Sequence, residues 1–347
     1  MTTSRMRAEI GEQPDALART IEALLPRVPD LGLLARGTRQ VLFIARGSSD
    51  NAAVYGRYLV ESHTGRLATL AAPSIATAYR SRLDLSGVLA VAISQSGKTE
   101  EIVETLEWAA SCGARTVAVT NGAASPLAEA AEVALITEAG DELAVPATKT
   151  YSTQLAALAV LALGLGAEVE RADLRRAPDE VARLIAVTEA AEALPAIVAE
   201  LAEVQGAVVS GRGIAFGTAL ELALKIKEAC YLHAMGLSYA DLLHGPIAVV
   251  DDRTPALLVA AGSGPTLAGT VALARRVRGA GARAYGIGGG DGLAAACSRA
   301  LPGPDLPEWV APLGLIVPGQ LLVEALARAL GVDPDVPRGL NKVTQTD

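Results

Sequence analysis

Aromatic residues are scarce: two Phe, two Trp and seven Tyr make up 3% of 347 residues. Proteins that hold single-stranded nucleic acid stack its bases on aromatic faces, so this chain offers few such platforms. A basic excess is missing as well. Lys and Arg number 30 against 38 Asp and Glu, for a formal net charge of −8 and a pI near 5.1, which repels a phosphate polymer. A single small phosphorylated molecule is a different matter, because backbone amides and hydroxyls can bind it locally. The three cysteines, Cys112, Cys230 and Cys297, lie far apart, without a CxxC or a Cys/His cluster. That excludes a disulfide framework and a zinc site of recognisable spacing. The opening MTTSRMRAEIGEQPD has no apolar signal core, and the apolar run Leu155–Ala167 is about 13 residues, short of the ~20 that cross a bilayer. These absences lead to the expectation of a soluble, cytoplasmic protein that binds neither nucleic acid nor membrane.

Apolar residues are plentiful, at 51% with a mean hydropathy of +0.34, enough for a large core and too many for disorder. The length suits one large or two ordinary domains. Short apolar runs alternate with helical patterns: VLFIA (41–45), VLAVAI (88–93), TVAVT (116–120) and VALIT (133–137), then GAVVSG (206–211), PALLVAA (255–261), RAYGIG (283–288) and LGLIV (313–317). Helices are expected at 51–62, 99–112, about 148–165, Thr218–His233 and about 319–331. Continuously apolar strands separated by helices indicate parallel sheets covered on both faces. The fold class is therefore α/β, with two tandem doubly wound, flavodoxin-like domains and a C-terminal tail. Arg46–Gly47 and Arg212–Gly213 stand 166 residues apart, close to half the chain, which points to a duplication. The expected parts are a helical segment over 1–30, a first domain over 31–167, a linker helix over 168–198, a second domain over 199–331 and a tail over 332–347.

Four places carry chemistry. ISQSGKTEEI (93–102) runs from a buried strand into a helix start and presents Ser94, Gln95, Ser96 and Thr99. Hydroxyls, an amide and helix N–H groups together suit the oxygens of a phosphate, although Ser/Thr-rich junctions also serve as plain helix caps. RGSSDNA (46–52) adds Ser48 and Ser49 at a second helix start. The same offset carries SQSG onto Ala260, Ala261, Gly262 and Ser263, so the second half keeps the loop and loses most of the hydroxyls. On the expected helix from Thr218, Glu221, Lys225 and Glu228 share a roughly 60° arc at 100° per residue. Such a stripe is either a solvated ion-pair ladder or a charged row facing a cavity or interface. His244 precedes a Gly-Pro turn and an apolar run expected to be a strand, a position suited to proton transfer. It equally suits a histidine held structurally in a loop. GRGIAFG (211–217) misses the dinucleotide fingerprint by one position.

These segments resemble the double sugar-isomerase-domain (SIS) family. The match runs through ARGSSDNA (45–52), ISQSGKT (93–99), VPATKTYSTQ (145–154), SGRGIAFGTALELALKIKEACYLHA (210–234), LLHGPIA (242–248) and PRGLNKVTQT (337–346). The resemblance implies a sugar-phosphate site at Ser49, Ser94, Gln95, Ser96 and Thr99 with Ser48 close by, and further sugar contacts at Val145 and Asn341. It implies that Glu228 shuttles a proton between C1 and C2, with Glu221 and Lys225 as its relay. His244 would open the sugar ring from a neighbouring subunit, and Lys342 would close over the ketose and form a Schiff base. No cofactor or metal is implied, and the partners are a phosphorylated amino sugar and a second copy of the chain.

The turn, LLHGP and KVTQT ending look closer to the deaminase branch than to the glutamine-dependent synthase. The first cysteine, Cys112, lies within an expected helix, Ala147 replaces a sugar-contacting serine, and Leu243 stands where the synthase has lysine. The implied activity is conversion of glucosamine 6-phosphate to fructose 6-phosphate and ammonia, its last step a hydrolysis. Alternatives are phosphosugar isomerisation, fructosamine-phosphate deglycation, an aminotransferase half and a non-catalytic sugar-phosphate sensor.

Overall fold

The computed structural model describes residues 3–342, so the last five residues of the tail lie outside the described chain. Ten strands form two sheets. In the first, β1 (Gln40–Ile44), β2 (Leu67–Leu70), β3 (Val88–Ile93), β4 (Arg115–Thr120) and β5 (Val133–Ile136) lie in the order β2-β1-β3-β4-β5. In the second, β6 (Gly206–Gly211), β7 (His233–Ser238), β8 (Ala256–Ala260), β9 (Ala284–Gly288) and β10 (Arg299–Leu301) lie in the order β10-β9-β8-β6-β7. Read from their own first strands, the two orders are identical, and every pairing is parallel. The expectation of two doubly wound, flavodoxin-like sheets holds.

The central strands are continuously apolar for the reason a parallel sheet demands: all six residues of β3 and all five of β8 are buried. Three edge strands depart from the pattern, β2, β7 and β10, each with exposed or half-buried positions among its residues. The chain forms two compact units. One holds Asp15–Glu142, Lys149–Arg175, Asn341 and Lys342; the other holds the described chain up to Pro14, Leu143–Thr148 and Arg176–Leu340.

Four expected elements change. LGLIV (313–317) is not a strand: it opens one helix, Pro312–Ala329, that also contains the helix expected from 319. A short apolar run does not distinguish a buried strand from a buried helix. The missing N–H of Pro318 costs roughly 3 kcal/mol in a helix interior, and a helix buried along Pro312–Glu324 offsets it. That helix has the length and apolarity of a membrane-crossing segment, yet 83% of it is buried within the fold, the position of a core helix. The apolar run after His244 is a 3-10 turn, Pro246–Val249, and the strand begins only at Ala256. The helix expected to reach His233 stops at Cys230, where Tyr231 takes φ +56 and ends it. The Arg338 backbone N–H donates to the Tyr231 hydroxyl at 2.7 Å, and the Arg338 guanidinium lies 4.3 Å over its ring. The 168–198 segment is two helices, Arg171–Glu189 and Ala193–Leu201.

Cys112 sits just beyond the Glu100–Ser111 helix rather than inside it, half-exposed, whereas Cys230 and Cys297 are buried. Burial pushes the Cys230 thiol up to about 12 and the Cys297 thiol up to about 11, the latter against the charge of Arg278. Since the thiolate is the reactive form, at pH 7.5 only Cys112 should react within minutes with an aromatic disulfide reagent. Three fast thiols in the native protein would contradict this packing.

Candidate functional site

In the first sheet β1 lies between β2 and β3. The chain therefore reverses its winding between β1 and β3, and right-handed crossovers leave a crevice at their carboxyl ends. The two hydroxyl-bearing loops are the segments that follow those two strands. After β1, Gly47 at φ +58 turns the chain into the Gly47–Thr64 helix, with Ser48 half-buried and Ser49 buried in its first turn. After β3, Ser94 is buried, and Gln95, Ser96 and Thr99 are half-buried ahead of the Glu100–Ser111 helix. Arg46 ties the two helix starts together, donating through Nε and Nη2 to both Glu101 carboxylate oxygens at 3.0 and 2.9 Å.

The hydroxyls face inward as acceptors. Ser94 Oγ accepts the Gly97 N–H at 3.2 Å, and Ser96 Oγ accepts the Lys98 N–H at 3.2 Å. A serine that accepts from the protein keeps its own proton to donate, and donors are what a phosphate needs. Thr99 occupies the N-cap position, yet its side chain makes no capping bond, so plain helix capping is not its role. Ser125, by contrast, does cap its helix through Ala128 N–H. Gly97 is required here: at φ +64 a Cβ would lie 2.2 Å from Ser125 Oγ. Burial raises the Asp50 carboxyl above its ordinary range, against the opposing charge of Arg46.

The corresponding loop of the second sheet follows β8. Gly264 has φ +110, and a Cβ there would lie 2.3 Å from the carboxyl carbon of Glu308. A carboxylate thus sits against the loop where the first half presents hydroxyls, and burial raises it above the usual range.

The second unit supplies the charged helix, Phe216–Cys230. Glu221 and Lys225 are fully buried, with Lys225 Nζ 3.5 Å from Glu221 Oε1. Lys225 also pairs with Glu228, whose side chain retains 23% exposure. The row is not a solvated ladder: its first two members are inside, and its third opens outward. His244 follows the Tyr239–Leu243 helix and is exposed; Gly245 after it has φ +136. Val145 belongs to this unit, and its N–H donates to the Asp335 carbonyl at 2.9 Å. Asp335 in turn accepts the Arg5 and Met6 N–H groups at 2.9 and 2.8 Å, pinning the tail to the first helix.

Asn341 is exposed and Lys342 half-buried, both grouped with the first unit. Lys342 Nζ lies 2.6 Å from Glu142 Oε2. Sequence reasoning missed Glu142, which is buried and also accepts Thr150 N–H at 3.1 Å and Thr150 Oγ1–H at 2.6 Å. Asp141 and Glu142 are adjacent acids in one loop, and only packing tells the buried one from the exposed one. Gln154, also missed, donates through Nε2 to Ser49 Oγ at 3.0 Å. Among the described residues no group of three His, Cys, Asp or Glu side chains is placed to hold a metal ion.

Removing one partner of a buried ion pair leaves the other charge uncompensated, at a cost of about 3–5 kcal/mol. Lys225→Met should therefore lower urea stability by that amount, while Lys227→Met, on the exposed side of the same helix, should stay within about 0.5 kcal/mol of the parent. Equal effects would mean that the row is not buried.

The sequence profile of the SIS domain matches residues 35–164, the part that contains the whole first sheet. Among curated proteins, a glutamine–fructose-6-phosphate aminotransferase (isomerizing) of Symbiobacterium thermophilum is 37% identical over 366 residues, which is 97% of this chain and 58% of that protein. The chain thus spans little more than half the length of this relative. Among solved structures, a candidate phosphosugar isomerase of Silicibacter pomeroyi is 35% identical with a TM-score of 0.87, over 96% of this chain and 100% of the other. The C-terminal domain of a glucosamine-fructose-6-phosphate aminotransferase of Francisella tularensis is 26% identical with a TM-score of 0.84, over 97% and 99% of the two chains. These relatives carry aminotransferase and isomerase names and none a hydrolase name, so the class is corrected from hydrolase to phosphosugar isomerase, any release of ammonia being a step that follows isomerisation. From the first loop to the tail the resemblance is one of sequence and of fold together, and the chain belongs to the SIS domain family.

Proposed function

We propose that the chain carries out aldose–ketose isomerisation of an amino-sugar phosphate, glucosamine 6-phosphate, yielding fructose 6-phosphate and ammonia. The observation that carries this reading is the buried Glu221–Lys225–Glu228 row with only Glu228 opening outward. Isomerisation between C1 and C2 needs one base that takes a proton from one carbon and returns it to the next. A carboxylate tethered by an adjacent ammonium stays in one place through both transfers, and Glu221 balances the ammonium from behind.

In this reading the phosphate is held by Ser48, Ser49, Ser94, Gln95, Ser96 and Thr99. His244 opens the ring and frees the C1 aldehyde. Glu228 removes the C2 proton, giving an enolamine, and delivers it to C1, which becomes the CH2OH of a C2 imine. Water then adds at C2 and ammonia leaves. Val145 and Asn341 are assigned as further sugar contacts, and Lys342, paired with Glu142, as the amine that forms a Schiff base with the ketose. The exposure of His244 supports its service in the site of a second copy of the chain.

Glu228→Gln should lower kcat by about 10²–10⁴, the usual share of general-base catalysis, with ammonia release as the readout. A variant retaining a tenth of the parent rate would remove Glu228 from the reaction. Ser96→Ala and Thr99→Val should each raise KM, since a lost hydrogen bond to a charged group costs about 1.5–3 kcal/mol, while Ser263→Ala in the second-half loop should leave KM unchanged. Equal responses from the two halves would defeat the assignment of phosphate to the first. Mixing His244→Ala with Glu228→Gln chains should restore part of the activity, because one site of each mixed dimer would regain both groups. Exchange of subunits without recovery would return His244 to its own chain's site.

A further inference from the structure

The Lys149–Gly164 helix is buried all round, and its polar members are therefore costly to keep. Gln154, 3% exposed, is one of them. Its Nε2 donates to Ser49 Oγ at 3.0 Å, and its Oε1 is buried with no hydrogen-bond partner among the described residues. The two helices that carry this contact are held in close approach two turns further along Ser49's helix. There a Cβ on Gly56 would lie 3.1 Å from the Phe43 ring and 3.3 Å from Leu158 Cδ1. The contact is thus set by packing that neither side chain can adjust.

A serine hydroxyl has one proton to give and two lone pairs to receive. With Gln154 donating into Ser49 Oγ, the Ser49 proton is directed away from Gln154. Ser94 and Ser96 are arranged alike, each accepting a backbone N–H. Among the described residues no backbone N–H donates to Ser49 Oγ, and a glutamine on the neighbouring helix takes the part. We infer that Gln154 is a positioning residue that turns Ser49 into a donor toward the sugar phosphate. This rests on the reading of Ser49 as a phosphate-site residue. The unpartnered Oε1 is the cost of presenting the amide this way round, because the opposite orientation would have Ser49 donate inward and lose its proton to the protein.

The test is the Kd of fructose 6-phosphate measured by calorimetry on the full chain. Gln154→Met, close in length and free of the orphaned oxygen, should keep the melting temperature and weaken binding by roughly ten- to a hundred-fold, about the loss of one hydrogen bond to a charged group. Gln154→Glu places acceptors against Ser49 and should weaken binding further than Met does. Gln154→Asn, too short to reach Ser49, should match Met, and it serves should the Met variant not fold. In a Ser49→Ala background Gln154→Met should change Kd no further, a coupling that a merely structural role would not produce. If Ser49→Ala weakens binding and Gln154→Met does not, or if the two effects simply add, the positioning role is wrong while the phosphate site stands. If Ser49→Ala itself leaves Kd unchanged, the phosphate reading of Ser49 falls and the inference with it.

Discussion

Everything of chemical interest in the first unit depends on one topological constraint. Parallel strands joined by right-handed crossovers place the helices after β1 and β3 on opposite faces of the sheet when the strand order reverses between them. Their N-terminal ends then flank one crevice. Nothing about the serines themselves brings 48–49 and 94–99 together across forty-odd residues; the β1–β3 pairing does, from Gln40 against Val88 to Ile44 against Ala92. The Arg46–Glu101 pair then ties the two helix starts to each other.

Charge in this protein is spent where it cannot be dispersed. Lys225 and Glu221 lie in an environment that penalises either alone by several kcal/mol, and the arrangement persists because each neutralises the other and Lys225 has a second carboxylate in Glu228. Glu142 repeats the device in the other unit, receiving a backbone N–H, a hydroxyl and an ammonium. In both cases a buried carboxylate is held by donors on a defined side, so each group has one orientation rather than several.

The duplication shows how little separates a loop that suits an anion from one that does not. Both sheets have the same strand order, and both carry a glycine turn after the first and third strands. In the first half the third-strand loop offers hydroxyls that accept backbone N–H groups and keep their own protons to donate. In the second the same loop meets the Glu308 carboxyl. In its own unit the tail is pinned by Asp335 to Arg5, Met6 and Val145 and stacks Arg338 on Tyr231 at the end of the charged helix; Lys342, four residues later, pairs with Glu142 in the other unit.

Sequence alone determined the fold class, the duplication, the central strands, the two hydroxyl loops and the Glu221–Lys225–Glu228 arc. Each of these is written in local periodicity or in a motif whose spacing has one geometric meaning. It could not tell a solvated ladder from a buried row, because the arc is identical in both and only the neighbouring elements decide its solvent. Nor could it tell LGLIV as strand from LGLIV as helix, since a run buried on every side has no period to read. Edge strands β2, β7 and β10 were lost for the opposite reason: none is continuously apolar, β2 and β10 are short, and β7 follows directly on a helical pattern that reads through to His233. Glu142 and Gln154 were decided by tertiary structure alone. A lone acid in a loop and a lone amide on an apolar helix carry no pattern, and their meaning comes from Lys342 and Ser49, partners 200 and 105 residues away in the chain.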